Sequence, residues 1–515
     1  MTGSPPFETH RVDNQPPDFA PCDLWFADIA LREAVQANGA GGFTGDLAAY
    51  ARVAGDALYR LSFDAHRDRP RLRTHDRFGH RIDRVEFHPS YHAVMQAAIE
   101  HGVAGLSWRN GRPGAHVARA ALGYLHYQVE PGTSCPLTMT HAAVPVLRRE
   151  PGLHEWAEKA TAPHYDPREV PIADKSGITI GMGMTEKQGG SDVRTNTTIA
   201  TPLGSPGEYA LVGHKWFFSA PMSDGFLVLA QAPGGLTCLL MPRRMPDAAK
   251  NAFRLVRLKD KLGDWSNASS EIEFTGAWAR RIGDEGRGIA TILEMVMLTR
   301  LDCMLGSAAL MRMALAQALH HCRHRHAFGK PLIRQPLMRN VLADLAIEAE
   351  AALALSMRVA RAVDAARGDP REAAFARIAT AIGKYWVCKR APAFVNEALE
   401  CLGGNGYVEE SLLPRLYRQA PLNSIWEGAG NIQCLDVLRA LTKEPETGAA
   451  LWAELQDMRP ANDRHEATID RLRARLVGQV RIEEANARRF VEQLALALQA
   501  SALLRTRSPI ADMFC

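Results

Sequence analysis

The sequence has little that would commit it to an unusual environment. Its nine cysteines (Cys22, Cys135, Cys238, Cys303, Cys322, Cys388, Cys401, Cys434, Cys515) include no C-x-x-C pair. An odd, scattered set suits free thiols in a reducing compartment rather than a disulfide framework. No stretch supplies the roughly 18 uninterrupted apolar residues of a membrane-spanning helix. The first residues, MTGSPPFETHRVDNQPPDF, are polar and proline-rich and lack the apolar core of a secretory signal. A soluble, cytoplasmic protein with no membrane partner is expected. Charge of one sign is also scarce: a formal net charge of +4 with 23% charged residues is far from the basic excess that would itself announce a nucleic-acid binder. Internal repeats and low-complexity tracts are missing too.

What is present is length and apolar content. With 515 residues, 46% of them apolar, the chain can bury several layers and needs more than one domain. Its texture changes three times. Helical spacing, as in Tyr91, Val94, Met95 and Ala98, dominates residues 1–175 after an extended start. Residues 176–284 switch to short apolar or alternating runs (ITIGMGMTE, YALVGHKWFFSA, GFLVLAQA, LTCLLMPRRM) punctuated by Gly, Pro and Ser, the pattern of a small antiparallel sheet. Long helical patterns return over 285–445, and 446–515 form a more polar, Arg- and Glu-rich helical stretch.

The glycine-rich GMGMTEKQGGSD (Gly181 to Asp192) invites a nucleotide-binding reading, but no amphipathic helix follows the glycines, so the strand-turn-helix context of a dinucleotide fingerprint is absent. By itself it reads as well as a structural turn. Its company is more telling: MTEKQGGSD is followed in order by GHKWFFSA, RHAFGKPL, ALECLGGNGY and SIWEGAGNIQ. This series resembles the acyl-CoA dehydrogenase family. NQPPDF, VGHKWFFSAPMSD, LKDKLGDWSNASSE and PLNSIWEGAGNIQCLDVLR resemble its AidB branch in particular.

The resemblance implies an α+β, mainly α fold: an N-terminal helical domain, a central antiparallel β domain, a C-terminal four-helix bundle and an extra C-terminal helical region. It implies bound FAD. Met184, Thr185 and Ser191 would line the flavin and its pyrophosphate, donors in a glycine turn suiting anionic oxygens. Phe217 would lie against the isoalloxazine and Ser219 would bond near N5. Trp426, Gly428 and Asn431 would border the cofactor. Members are commonly homotetramers in which a neighbouring subunit grips the adenosine end; here Arg325, Phe328, Gly403 and Gly404 would do so. Pro336 and Glu400 stand where the family usually has Gln.

On residues alone Trp426-Glu427-Gly428 reads as a turn with a solvated Glu; the resemblance implies that Glu427 is the base removing the α-proton of an acyl-CoA thioester, made stronger by desolvation. Some branches place their base just ahead of a family-typical Arg, a position held here by Thr299 before Arg300. Ala429 replaces a common Thr, and Trp426 is bulkier than the frequent Tyr.

Three further features carry competing readings. His320, His321, His324 and His326 around Cys322 hint at a metal through i, i+4 spacing, and fit an ordinary helix end better; no metal is expected. Methionines such as Met295, Met304 and Met311 read as core packing. AidB-like proteins are associated with double-stranded DNA and the alkylation response. Here Arg439, Lys443, Arg464, Arg471 and Arg475 are the candidate phosphate contacts, although residues 446–515 carry ten Arg, no Lys and ten acidic residues. The alternatives to a metabolic dehydrogenase are thus a DNA-associated flavoprotein and a flavin oxidase using O2.

Overall fold

The computed structural model describes residues 9–458, 461–476 and 482–515. Residues 1–8 of the first expected unit and 459–460 and 477–481 of the last lie outside the described residues. The order along the chain is helical, β, helical, as the changes in texture imply.

The first part holds helices Pro89–Glu100, Ala115–Val129 and Pro131–Arg149, the second almost wholly buried along its length. One segment departs from the helical expectation: β1 (Arg71–His75) and β2 (Arg81–Glu86) pair as an antiparallel hairpin. The cause is local. Asp76 Oδ1 accepts from the backbone N–H groups of Phe78 and His80, closing a turn that outcompetes helix propagation.

The middle part contains β3 (Ile180–Gly183), β4 (Ile199–Pro202), β5 (Glu208–Ser219), β6 (Gly225–Ala232), β7 (Gly235–Pro242), β8 (Phe253–Leu258) and β9 (Ser269–Ile282). Pairings β4–β5, β5–β9, β9–β7, β7–β6 and β6–β4 close a ring, with β3 added beside β6 and β8 beside β9. The antiparallel expectation is met by most pairs, but β6 runs parallel to both β3 and β4. Its sequence, GFLVLAQA, explains the place: Phe226, Val228 and Ala230 enter the core inside the ring, while Leu227 and Leu229 face an apolar cluster shared with helix Pro131–Arg149 and with Met295 and Val296. A continuous apolar run is what burial on both faces requires.

Helices Gly288–His324, Pro336–Ala365, Pro370–Glu400 and Gly430–Lys443 form the C-terminal bundle. Asp369 caps the third by accepting from the N–H groups of Arg371 and Glu372, with Pro370 at its first position. The remaining helices, Pro445–Asp457, Asp463–Leu476 and Ala487–Arg505, do not build a core of their own. Leu451, Leu455, Ile469, Leu472 and Phe490 join the same buried cluster as Leu355, Phe375 and Ile378 of the bundle. Arg358 of the bundle bonds Glu454 and Glu372 across this junction.

Candidate active site

The segment between Ser424 and helix Gly430–Lys443 carries Glu427 in a left-handed backbone conformation, φ 57°, followed by Gly428 at φ 97°. A glutamate rarely adopts such a φ unless its surroundings impose it. Here three side chains do so. Lys384 Nζ donates to the carbonyl oxygens of Trp426 (2.7 Å) and Gly428 (2.5 Å). Arg300 Nε donates to the Glu427 carbonyl at 3.0 Å, and Gln433 Nε2 to the carbonyls of Glu427 and Gly428. A side chain at Gly428 would be strained by its left-handed backbone, and its Cβ, 2.7 Å from Gln433 Nε2, would push that amide off the carbonyls it holds.

The Glu427 carboxyl is thereby aimed inward, with Oε2 2.9 Å from Thr299 Oγ1. Burial pushes this carboxyl up from its ordinary value, while the Thr299 hydrogen bond and the Lys384 and Arg300 charges act to lower it. Arg300 is itself held by Asp436, 2.9 Å away. Trp426 packs beside this centre, its indole N–H donating to Asn423 Oδ1.

A second group comes from the β part. Met184 and Thr185 begin the turn after β3, and the turn is pinned from beneath by a buried ion pair: Lys215 Nζ lies 2.8 Å from Glu186 Oε1, both side chains fully buried. Burial acts to raise the Glu186 carboxyl, but Lys215 and the Thr197–Thr198 donors bring it down to about 2. The same burial draws the Lys215 ammonium down to about 8, so at neutral pH both partners are charged. Phe217 owes its exposure to a register shift between Lys215 and Phe218 in β5, which turns Phe218 into the core and leaves Phe217 52% exposed. Ser219 Oγ lies 3.2 Å from Ser269 Oγ. Beside them opens a cavity of ≈ 180 Å³ lined by Lys259, Lys261, Trp265, Asn267 and Ser269. Met184 and Trp426 pack on one apolar cluster, so the fold brings the turn after β3 and the Glu427 loop to the same region. Ser191 is exposed at the rim of that turn and Asn431 is exposed at the start of helix Gly430–Lys443.

Arg325, Phe328, Gly403 and Gly404 gather elsewhere. They follow the C-terminal ends of helices Gly288–His324 and Pro370–Glu400, ends that touch where Cys322 Sγ meets the Cys401 carbonyl at 3.9 Å. Helical rise puts Arg325, just past the helix end, roughly 37 Å from Arg300. Phe328 is 97% exposed, and Gly403, at φ 58°, has open space where a side chain would stand. Among the histidines, His320 Nε2 contacts the Pro17 carbonyl at 2.7 Å, and His326 lies beyond the helix end in a two-residue strand, so it does not share a helix with Cys322. Arg439, Lys443, Arg464, Arg471 and Arg475 are all exposed, the last three opposite buried His465, Ile469 and Leu472. Among the described residues no helix is long and apolar enough to cross a membrane.

Residues 14–167 match the Adaptive response protein AidB N-terminal domain, 181–277 the acyl-CoA dehydrogenase middle domain and 286–442 the acyl-CoA dehydrogenase C-terminal domain. AidB of Escherichia coli (strain K12) is 47% identical over 515 residues, covering 99% of this chain and 94% of that protein. The chain belongs to the acyl-CoA dehydrogenase family. Acyl-CoA dehydrogenase family member 11 of Caenorhabditis elegans is 31% identical over 76% of this chain and 67% of its own. The crystal structure of Caenorhabditis elegans ACDH-11 in complex with C11-CoA superposes with a TM-score of 0.89 at 25% identity, covering 99% of this chain and 91% of that one.

Membership makes the protein an FAD-dependent oxidoreductase of acyl-CoA dehydrogenase type. Its residues fit that cofactor: an aromatic face left unburied at Phe217, hydroxyls at Thr185 and Ser219, and an adjoining cavity. Reading the sequence for motifs overlooked the supports: Lys384, Gln433, Lys215 and Glu186. Lys384 had a signal, a charge falling on the buried helical face that Ala381 and Cys388 share.

Proposed function

We propose that Glu427 removes the α-proton of an acyl-CoA thioester, and that Met184, Thr185, Ser191, Phe217 and Ser219 hold the flavin and its pyrophosphate opposite it. Trp426, Gly428 and Asn431 border the same space. The observation that carries this reading is the Glu427 carboxyl itself, part-buried, raised by burial and aimed by a left-handed turn in which the carbonyls of Trp426, Glu427 and Gly428 are each tied down. A solvated turn would need none of these. Bound FAD supplies the two-electron acceptor for the hydride that leaves the β-carbon, so that an enoyl thioester results. The chain's own contribution includes a backbone donor. In a trans peptide the C=O and N–H point oppositely, so turning the Trp426 carbonyl to Lys384 leaves the Glu427 N–H facing away from it, free to donate to the thioester oxygen as enolate charge develops. The acyl-CoA bound to ACDH-11 supports the substrate class.

Arg325, Phe328, Gly403 and Gly404 stand too far from Glu427 to serve the same flavin, which favours their gripping the adenosine end of a partner's FAD in a homotetramer. The four units 1–175, 176–284, 285–445 and 446–515 are part of this proposal, the last as a helical extension of the bundle. A second reading, duplex DNA contact through Arg439, Lys443, Arg464, Arg471 and Arg475, draws support from their exposure, and a salt-dependent shift of duplex DNA tests it. For the primary reading, anaerobic titration of the yellow protein with butyryl-CoA and isovaleryl-CoA should bleach the oxidised flavin band, and Glu427→Gln should keep FAD but lose the bleaching. Undiminished bleaching in that variant removes Glu427 from the reaction.

A further inference from the structure

We propose that Lys384 is a positioning residue of the reaction: its buried side chain clamps the carbonyls of the residues on both sides of Glu427 and holds that carboxyl on target. The inference rests on Glu427 being the base. Lys384 sits mid-way along helix Pro370–Glu400 and is 1% exposed. An ammonium has three donors, and two of them go to the Trp426 and Gly428 carbonyls that flank the base.

The charges nearby show why a cation is kept there. From helix Gly288–His324, Arg300 faces the loop, and from helix Gly430–Lys443, Asp436 neutralises it at 2.9 Å. Arg377, on the same helix as Lys384, is paired with Asp436 and Glu444. The thiols of Cys303 and Cys388 lie beside Lys384 and that of Cys135 beside Glu427, all three raised by burial and uncharged at neutral pH. Among the described residues no carboxylate pairs directly with Lys384, and a buried cation held only by carbonyls is costly. Glu427 is the acid whose charge answers it, and the influence is mutual: Lys384 is the foremost of the charges acting to keep the Glu427 carboxyl ionised. Geometry and charge thus meet in one side chain. The carbonyls fix the left-handed turn, and the ammonium offsets desolvation of the base.

The test compares holoenzyme carrying Lys384→Met, which keeps the shape without donor or charge, with Lys384→Gln, which keeps a donor without the charge. Three readouts are taken: kcat and KM with butyryl-CoA across pH, hydrogen exchange of the 421–433 backbone, and Glu427→Gln in parallel. Lys384→Met should lower kcat roughly 10- to 100-fold with little change in KM. It should also move the rising limb of the pH profile up by about one unit or more and speed exchange in 421–433. Lys384→Gln should slow that exchange again yet leave the limb displaced. Flavin absorbance and thermal midpoint report folding, and Lys384→Gln carries the test if the Met variant does not fold. Native kcat, an unmoved limb and unchanged exchange in either folded variant overturn the proposal. Bleaching retained in Glu427→Gln overturns the underlying assignment instead.

Discussion

Thr299→Val would isolate what one hydroxyl does for the proposed base, Glu427. Thr299 Oγ1 lies 2.9 Å from both Glu427 Oε2 and the Val296 carbonyl, but a hydroxyl carries one proton. When Glu427 is ionised, that proton belongs to the carboxylate. When Glu427 is protonated, its own O–H donates to Oγ1, and the Thr299 proton is left with the i−3 back-bond to the Val296 carbonyl, which contributes little within a helix. The hydroxyl therefore supports both states, the charged one more. A hydrogen bond to a charged group contributes about 1.5–3 kcal/mol and a neutral one about 0.5–1.5, so the difference is on the order of 1–1.5 kcal/mol. That corresponds to about one pH unit. Valine preserves the shape and the burial, so the Glu427 carboxyl, already raised by burial, should rise further. The proposed chemistry needs the carboxylate, so kcat/KM should rise with pH through this value. Below the native midpoint the variant should be about tenfold slower, with the gap closing at higher pH. The assay is anaerobic stopped-flow flavin reduction by butyryl-CoA from pH 5 to 9. An unmoved or lowered midpoint, or a loss uniform in pH, would refute the reasoning.

Three further outcomes follow from the loops that meet at this centre. Lys215→Met leaves the Glu186 carboxylate buried without its cation and should cost about 3–5 kcal/mol, read as a lowered denaturation midpoint. The same pair makes stability acid-sensitive. Because the folded Glu186 carboxyl sits near 2, below its ordinary value, its contribution is complete at neutral pH and fades as pH falls from the ordinary carboxylate range toward about 2. Replacing both partners with Leu and Met should flatten that part of the profile. Gly428→Ala forces a Cβ against Gln433 in a left-handed residue and should abolish most turnover while leaving FAD absorbance intact, a split visible in one spectrum and one assay.

The order of layers was legible because each part of the chain has its own period. The apolar run of β6 shows a strand buried on two faces, and the capping of helix Pro370–Glu400 is written in Asp369-Pro370. The expectation for Glu427 came from its neighbours in the chain, not from any property of a lone glutamate. The rest was hidden for physical reasons. Lys384 and Lys215 act on residues 42 and 29 positions away in sequence, and nothing local distinguishes such a lysine from a solvated one. The outward turn of Phe217 depends on a register shift set by the partner strand β9. The hairpin at 71–86 was written in HDRFGH, an Asp-Gly turn overlooked amid helical surroundings.

The junction between the bundle and its last helices has a consequence for how the molecule comes apart. With Leu451, Ile469 and Phe490 sharing a single interior with Phe375 and Ile378, the C-terminal extension is no appendage that can be clipped away. Removing it would strip one wall from the bundle that positions Arg300 and Lys384, and strand Arg358 without Glu454. A change at the outer end of the chain would thus reach Arg300 and Lys384 through loosened helices.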